Sequence, residues 1–354
     1  MKILQLNFER TWRGGERQTL YCMRAFRQAG HEVELLARAG YPMAERAAAE
    51  GFRVHARRSP AGQLAFLLRH GRSYDIVHAQ TANTLTWAVL AKPFNRRPVV
   101  FSRRTSFPAT GKEAVIGRKW RQADMFVAIS HMAAAEPLRL GLRPVIIRSA
   151  IEDLPTDPAR TAEFVQRFGL AGRKVLATSA ALVDDKDPQT LVRAVGELAR
   201  LRSDFVFVHL GGGGNAEAEA RRLVDGLGLG QVYLFAGFLP GVEDFYPAMD
   251  VFVMASKEEA LGSSVFDAFL RRVPVVSTDA GGLKETLADG RGILCPAGDF
   301  RALAAGMQRA LEDGDLRREM TERAYDYVRR EHDIGVMGER YLEGFRALLA
   351  ARGR

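Results

Sequence analysis

The chain has 354 residues, 47% of them hydrophobic and 26% charged, and this length predicts two domains because it exceeds one typical core. No apolar run approaches the roughly 18 residues that span a bilayer, and two distant cysteines, Cys22 and Cys295, exclude a disulfide framework. The net charge of +9 is uneven, since residues 1–150 carry +15 and the remainder carries −6, which predicts an anionic partner for the first half.

The first predicted strand, Lys2–Phe8, occupies the N-terminus, where a signal peptide would otherwise lie, so we expect a cytoplasmic protein. Gly14 and Gly15 follow between this strand and an amphipathic helix, and Arg10 and Arg13 flank them. A glycine pair at this point lets the backbone approach a ligand closely. Because the pattern G-x-G-x-x-G is absent, a dinucleotide cofactor is not predicted.

Two later strand ends of the first half carry polar side chains. A strand over 74–78 ends at His78, whose imidazole would face a ligand at the carboxyl end of a parallel strand, although a structural role for one histidine stays equally open. A strand over 98–101 leads into Arg103 and Arg104. Arginine cannot act as a general base, but it forks onto phosphate or carboxylate, which favours an anionic ligand.

After a proline-containing linker at 150–160, three strands of the second half are each followed by a loop of ligand-binding character. These loops contain, in order, Lys186, Gly213 and Phe238. A single loop lysine is most often solvated. Ligands of α/β proteins nevertheless bind at strand ends, so these three positions are candidate contacts.

The segment 251–282 is the most distinctive part of the chain, and it reads as strand, loop, helix and strand. The predicted helix start is rich in small residues, namely Gly262, Ser263 and Ser264. The first N–H groups of a helix have no internal partner, so this start would accept an anion. Glu259 and Asp267 lie eight positions apart around it, a spacing that could place both on one helical face.

This segment resembles the signature of retaining GT-B glycosyltransferases of the family-4 type, also called glycosyltransferase group 1. The residues that carry the resemblance are Glu259-Ala260-Leu261-Gly262, Asp267 and Val273-Pro274-Val275-Val276. Ala260 replaces the usual first glycine, and Asp267 replaces the second glutamate. Lys186 matches a further family position, whereas Ala181 stands where relatives hold an arginine.

The resemblance covers nearly the whole chain and implies an α/β fold of the GT-B class, with two facing Rossmann-like domains and the active site in the interdomain cleft. Residues 1–150 would form the acceptor-side domain, with the C-terminal helix at 335–354 packing back on it. Residues 151–334 would form the nucleotide-sugar-binding domain.

The resemblance also implies roles for individual residues. Glu259 and His78 would be catalytic. The donor-binding residues would be Gly15, Lys186, Gly213, Phe238, Gly262, Ser263, Ser264 and Asp267. The acceptor-binding residues, inferred from their charge, would be Arg10, Arg13, Arg103 and Arg104.

The implied reaction transfers a sugar from a nucleotide-diphosphate sugar to a hydroxyl of an anionic glycolipid or polysaccharide, as in lipopolysaccharide assembly. We expect retained anomeric configuration, no metal and no cofactor, since the nucleotide-sugar is a co-substrate. The basic first half further predicts peripheral association with the cytoplasmic face of the inner membrane.

Three other functions stay open at this point. A nucleotide-sugar epimerase on the same fold would need acids and bases for proton abstraction, and it is disfavoured because arginine stands in the loop after 98–101, where many relatives of the family hold a histidine. A nucleic-acid-binding protein would suit the sequence pI of about 9.8, but the basic residues are not interleaved with stacking aromatics, so no nucleic-acid partner is expected. A catalytically weakened nucleotide-sugar-binding protein would suit the substitutions at Ala181 and Asp267.

Overall fold

Near-continuous runs of valine, isoleucine and leucine form the strands, as expected of parallel sheets that helices cover on both faces. In the computed structural model, which describes residues 1–352, the strands assemble into one seven-stranded and one six-stranded sheet, and all of the strand pairs are parallel. The prediction of two Rossmann-like α/β domains is therefore confirmed.

The chain divides into two units. The first contains residues 1–152 and the described chain from 331 onward, and the second contains residues 153–330. The domain boundaries predicted from the sequence are residues 150 and 334, and the boundaries between the two units in the structure are residues 152 and 330.

The first unit alternates strands with helices. Its elements up to the linker are β1 (Lys2–Asn7), α1 (Gly14–Gln28), β2 (Glu32–Arg38), α2 (Pro42–Ala49), β3 (Arg53–Arg57), α3 (Pro60–His70), β4 (Ile76–Ala79), α4 (Ala82–Asn95), β5 (Val99–Arg103), α5 (Glu113–Trp120), β6 (Met125–Ala128), α6 (His131–Arg139) and β7 (Val145–Ile146). The strand order is β3-β2-β1-β4-β5-β6-β7. Since β2 and β4 lie on opposite sides of β1, the direction of winding reverses between β1 and β4.

The second unit repeats this plan. Its elements are α7 (Pro158–Arg167), β8 (Lys174–Ser179), α8 (Pro188–Leu201), β9 (Phe205–Leu210), α9 (Glu217–Gly226), β10 (Tyr233–Gly237), β11 (Val251–Met254), α10 (Ser263–Leu270), β12 (Val275–Thr278), α11 (Leu283–Leu287), β13 (Ile293–Cys295), α12 (Phe300–Glu312) and α13 (Gly314–Glu331). The strand order is β10-β9-β8-β11-β12-β13, so the winding reverses between β8 and β11.

The last helix, α14 (Ile334–Arg352), belongs to the first unit and packs against α1. The helices cross closely, since a Cβ added at Gly338 would lie 2.6 Å from the Cβ of Ala25. Phe345 and Tyr341 of α14 make aromatic contacts with Phe26, with ring centroids 5.4 and 6.0 Å apart. The sequence predicted this helix over 335–354, and its last two positions lie outside the described residues.

Candidate functional site

In open parallel sheets, ligands bind beyond the carboxyl ends of the strands, where the winding reverses. In the second unit this point lies between β8 and β11. Lys186 follows β8 on a short 3-10 turn (Asp184–Lys186), and Glu259 lies in the loop after β11. Their side chains form an ion pair and are 28% and 15% exposed, so both are half-enclosed and still within reach of a ligand.

Backbone contacts hold these two loops together. The N–H of Lys257 donates to the carbonyl of Asp185 at 2.8 Å, and the N–H of Glu258 reaches the same oxygen at 3.4 Å. The Lys257 ammonium also lies 3.3 Å from the carboxylate of Asp187, the residue that caps α8. The Lys186–Glu259 pair is therefore built on a fixed backbone frame.

The glycine pair after β12, Gly281 and Gly282, packs directly against the backbone of the Glu259 loop. The N–H of Gly282 donates to the carbonyl of Glu259 at 2.7 Å. A Cβ at Gly281 would lie 2.2 Å from the Glu259 carbonyl oxygen, and one at Gly282 would lie 2.2 Å from the Ala260 carbonyl oxygen. Only glycine allows so close an approach of the two backbone segments.

Helix α10 begins beside this loop, with Gly262 as its N-cap at φ +79°, a left-handed conformation that favours glycine. No side chain caps the helix, and the N–H of Val265 donates to the Gly262 carbonyl at 2.9 Å. An uncapped helix start of this kind can accept an anion. Ser263 and Ser264 are half-buried in its first turn, and the hydroxyl of Tyr246 donates to the Ser264 carbonyl at 2.9 Å.

Asp267 lies one turn further along α10 and is 8% exposed. Glu259 precedes the helix, which starts at Ser263, so the two carboxylates do not share a helical face. The prediction based on their eight-residue spacing is wrong for this reason. Gly262 turns the chain between them.

The loops after β9 and β10 border the same strand ends. The N–H of Gly211 donates to the carbonyl of Gly237 at 2.8 Å. Gly213 is exposed with open space around its Cα, and its N–H donates to the Glu217 carboxylate at 2.7 Å. The side chain of Phe238 is 74% exposed, so one face of its ring is available to an aromatic ligand.

In the first unit, the winding reverses between β1 and β4, and the predicted cations lie around this point. Arg10 and Arg13 are exposed in the loop before α1. Gly15 lies in the first turn of α1, where an added Cβ would lie 3.9 Å from the Cδ of Arg104. Arg104 is half-buried and donates to the Gln80 side-chain oxygen at 2.6 Å.

Arg103, which was predicted to contact the acceptor together with Arg104, is buried. Its side chain is 6% exposed, its guanidinium lies 4.6 Å from the ring centroid of Trp120, and it donates to the carbonyls of Thr105, at 2.9 Å, and Phe107. Arg103 is the last residue of β5, whereas Arg104 already lies in the loop that follows, so the two side chains take different directions. Arg103 therefore shapes the loop after β5.

His78 also differs from its prediction, because its side chain is fully buried rather than open to a ligand. The imidazole lies 5.0 Å from the Tyr341 ring and 5.7 Å from the Phe345 ring, both on α14. Burial and the neighbouring Arg104 charge lower the pKa of His78 well below its usual range. His78 is therefore a neutral core residue that stabilises the α14 interface.

Two residues were missed by the sequence prediction. Gln80 contacts Arg104 directly, and Gly281 supports Glu259. The signal for Gly281 was the Gly-Gly turn after β12, and the signal for Gln80 was its position just after His78, where many family members carry a second histidine.

Within residues 1–352, no group of three or more His, Cys, Asp or Glu side chains lies together in a way that could hold a metal ion. No helix of this range is long and apolar enough to cross a membrane.

Several known proteins resemble this chain. The lipopolysaccharide core biosynthesis glycosyltransferase LpsE of Rhizobium meliloti is 28% identical over 174 residues, which is 49% of this chain and 50% of that protein. A GDP-mannose-dependent phosphatidylinositol monomannoside mannosyltransferase of Mycolicibacterium smegmatis is 30% identical over 268 residues, 72% of this chain and 65% of that protein. The alignments with the first curated relatives span about half of their length.

Among solved structures, Anabaena HepE in complex with UDP-glucose matches with a TM-score of 0.87 and 21% identity, over 98% of this chain and 100% of that chain. This likeness shows the shared fold. The family model described as "Glycosyltransferase Family 4" matches residues 12–152, and the model described as "Glycosyl transferases group 1" matches residues 161–327. Between them the two models cover every strand of both sheets except β1, and the chain belongs to the group 1, family-4 glycosyltransferases with the GT-B fold.

Proposed function

We propose that the protein transfers a sugar from a nucleotide-diphosphate sugar to a hydroxyl group of an acceptor. The observation that carries this proposal is the Lys186–Glu259 pair beside the uncapped start of α10, at the point where the winding of the second sheet reverses. The Lys186 ammonium and the N–H groups at the uncapped helix start suit the diphosphate of a ligand, and the Glu259 carboxylate suits the hydroxyls of its sugar.

In the proposed reaction, the bond between the sugar C1 and the diphosphate oxygen breaks, and a bond from C1 to the acceptor oxygen forms. Negative charge develops on the departing diphosphate. Lys186 and the N–H groups at Gly262 to Ser264 would stabilise it, since fixed charges and dipoles cost no reorganisation during the reaction. The displaced hydroxyl proton would go to the leaving phosphate.

Each remaining predicted contact has a place in this proposal. Glu259 would exchange its bond to Lys186 for the donor sugar hydroxyls, and Asp267 would accept from the ribose. The exposed ring of Phe238 would pack on the nucleobase, with the Gly213 loop next to it. We propose retained configuration, because an acceptor hydroxyl that gives its proton to the leaving phosphate attacks C1 from the face on which the phosphate leaves. We propose no metal requirement, because Lys186 and the helix start can supply the positive charge themselves.

Nucleotide binding tests the donor proposal. Among UDP, GDP, ADP and CMP, one diphosphate is expected to raise the melting temperature, and a ligand at 100 times its Kd adds about 2.7 kcal/mol of stability. The shift should persist in EDTA. Transfer from the matching nucleotide-sugar, with the product anomer read by NMR, completes the test. If no nucleotide binds, the proposed transferase function is wrong, and the alternative is a binding protein that does not use a nucleotide-sugar.

We further propose an acceptor that carries a phosphate or carboxylate on a glycolipid or saccharide. Arg10, Arg13 and Arg104 support this, together with the +15 charge of residues 1–150. Two relatives are named for lipopolysaccharide core biosynthesis and for a phosphatidylinositol monomannoside. The same charge supports peripheral binding to an anionic membrane surface.

Matched acceptors test this second proposal. A glycolipid with a phosphate group should show a KM about 10- to 100-fold lower than the same lipid without it, because a charged hydrogen bond contributes about 1.5–3 kcal/mol. Replacing Arg104 by methionine should remove this preference. Activity should be higher on anionic than on zwitterionic vesicles and should fall with salt. Equal KM values for both lipids would contradict the anionic acceptor while leaving the transferase function intact.

A further inference from the structure

A continuous chain of hydrogen bonds links the Arg104 guanidinium to helix α14 inside the first unit. The distances along it, in order, are 2.6 Å from Arg104 to Gln80, 2.7 Å from Gln80 to Gln5, 3.2 Å from Gln5 to His78, 2.7 Å from His78 to Ser102 and 2.7 Å from Ser102 to Tyr341. The five residues after Arg104 are all buried. A buried network of this kind is rigid when every member is satisfied.

Arg104 determines which group donates and which accepts in each hydrogen bond from Gln80 to His78. Because a guanidinium only donates, the Gln80 side-chain oxygen must face Arg104, and the Gln80 amide nitrogen must then donate to the Gln5 oxygen. The Gln5 amide nitrogen in turn faces Nδ1 of His78, so Nδ1 accepts. His78 is therefore neutral with its proton on Nε2, which donates to the Ser102 hydroxyl.

The partners of Arg104 are all neutral. Besides Gln80, they are the Ser149 hydroxyl at 3.5 Å and the Cys22 sulfur at 3.9 Å. Across residues 1–352, no carboxylate lies within ion-pair distance of Arg104, and its buried Nε has no hydrogen-bond partner. This half-buried cation is held in place while its charge stays uncompensated, a state that a bound anion would relieve.

We propose that Gln80 is a positioning residue that aims Arg104 at the anionic group of the acceptor while leaving the arginine charge intact. The inference rests on the proposed function. A neutral amide at position 80 is the essential feature, since a carboxylate there would supply the counter-ion that the acceptor otherwise provides. The network behind Gln80 fixes its amide, so the guanidinium cannot rotate freely.

The substitution Gln80→Glu tests this role in the full-length protein. We expect the KM for the phosphate-bearing glycolipid to rise about 10- to 100-fold, with kcat and the KM for the nucleotide-sugar nearly unchanged, because the new carboxylate pairs with Arg104. Gln122→Glu, an exposed change in the same unit, is the matched control and should alter neither constant. An unchanged acceptor KM in active Gln80→Glu would overturn the inference.

The His78 tautomer provides a readout that needs no activity. In protein with ¹⁵N-labelled histidine, NMR should show His78 neutral with its proton on Nε2. In Gln80→Glu, both oxygens of the new carboxylate accept hydrogen bonds, so the Gln5 amide should turn its nitrogen toward position 80 and its oxygen toward His78. The proton of His78 is then expected on Nδ1. His209, a buried histidine of the second unit, should stay unchanged. A proton on Nδ1 in the native protein would refute the positioning role.

The two kinds of failure can be told apart. If no nucleotide-sugar is turned over but the tautomer reverses as expected, the proposed function is wrong. The positioning of Arg104 by Gln80 would then still hold, but for an anion other than this acceptor. If transfer proceeds and neither the acceptor KM nor the tautomer responds to Gln80→Glu, only the inference about Gln80 falls.

Discussion

Replacing Lys186 by methionine is expected to lower kcat/KM for sugar transfer about 100- to 1,000-fold, the usual effect of removing one fixed charge-stabilising group. Methionine keeps much of the length and apolar stem of the side chain but removes its charge. The leaving diphosphate would then face only the helix N–H groups. Glu259 would also lose its partner, which leaves a half-enclosed carboxylate next to the diphosphate. Steady-state rates with saturating acceptor measure the effect.

Lys284→Met is the matched control for this experiment. Lys284 lies on α11, just after the Gly281–Gly282 turn, and pairs with Asp279 at 3.2 Å; the two side chains are 65% and 37% exposed, and no role in catalysis is proposed for either. Exposed ion pairs contribute about 0–1 kcal/mol, so this variant should stay within a few-fold of the native rate. Equal losses for both variants would show a general effect of removing a lysine charge and would contradict a specific role for Lys186.

Replacing Gly281 by alanine is expected to destabilise the second unit by about 2–5 kcal/mol and to weaken nucleotide binding. Alanine at φ +49° costs about 1–2 kcal/mol, and the clash of its Cβ with the Glu259 carbonyl adds about 1–3 kcal/mol. Relief of the clash must move the Glu259 backbone and therefore its carboxylate. Denaturant unfolding and nucleotide titration measure the two effects.

Gly298→Ala separates the two contributions. Gly298 has φ +81°, but no atom lies within 4 Å of an added Cβ, so only the cost of the left-handed backbone should appear. Nucleotide affinity should not change in this variant. Were Gly281→Ala no worse than Gly298→Ala in stability and binding, the close approach of the 281–282 turn to the Glu259 loop would have no energetic weight.

The sequence alone determined the fold class and the order of the elements. Apolar runs separated by amphipathic helical segments predict parallel sheets, because each strand must be buried on both faces. The donor-side residues were also within reach of the sequence. Lys186, Glu259 and Gly262 each follow a strand, and parallel topology brings the carboxyl ends of strands to one edge of the sheet.

The first unit shows what only the tertiary structure decided. Arg103 and Arg104 are adjacent in the sequence and chemically identical, yet one is buried against Trp120 and the other faces the start of α1. Arg103 is the last residue of β5 and Arg104 is the first residue of the loop after it, and the sequence does not say which of the two faces a ligand. The answer depends on what packs around this end of β5.

His78 and Gln80 make the same point over longer distances. The imidazole is enclosed by α14, which is more than 250 residues away in the sequence, and this helix buries it completely. Gln80 gains its significance only because Gln5, on β1, and Arg104, in the loop after β5, meet its amide. The chemical types of the site residues are therefore local properties of the sequence, whereas their exposure, charge state and orientation are properties of contacts that only the folded chain creates.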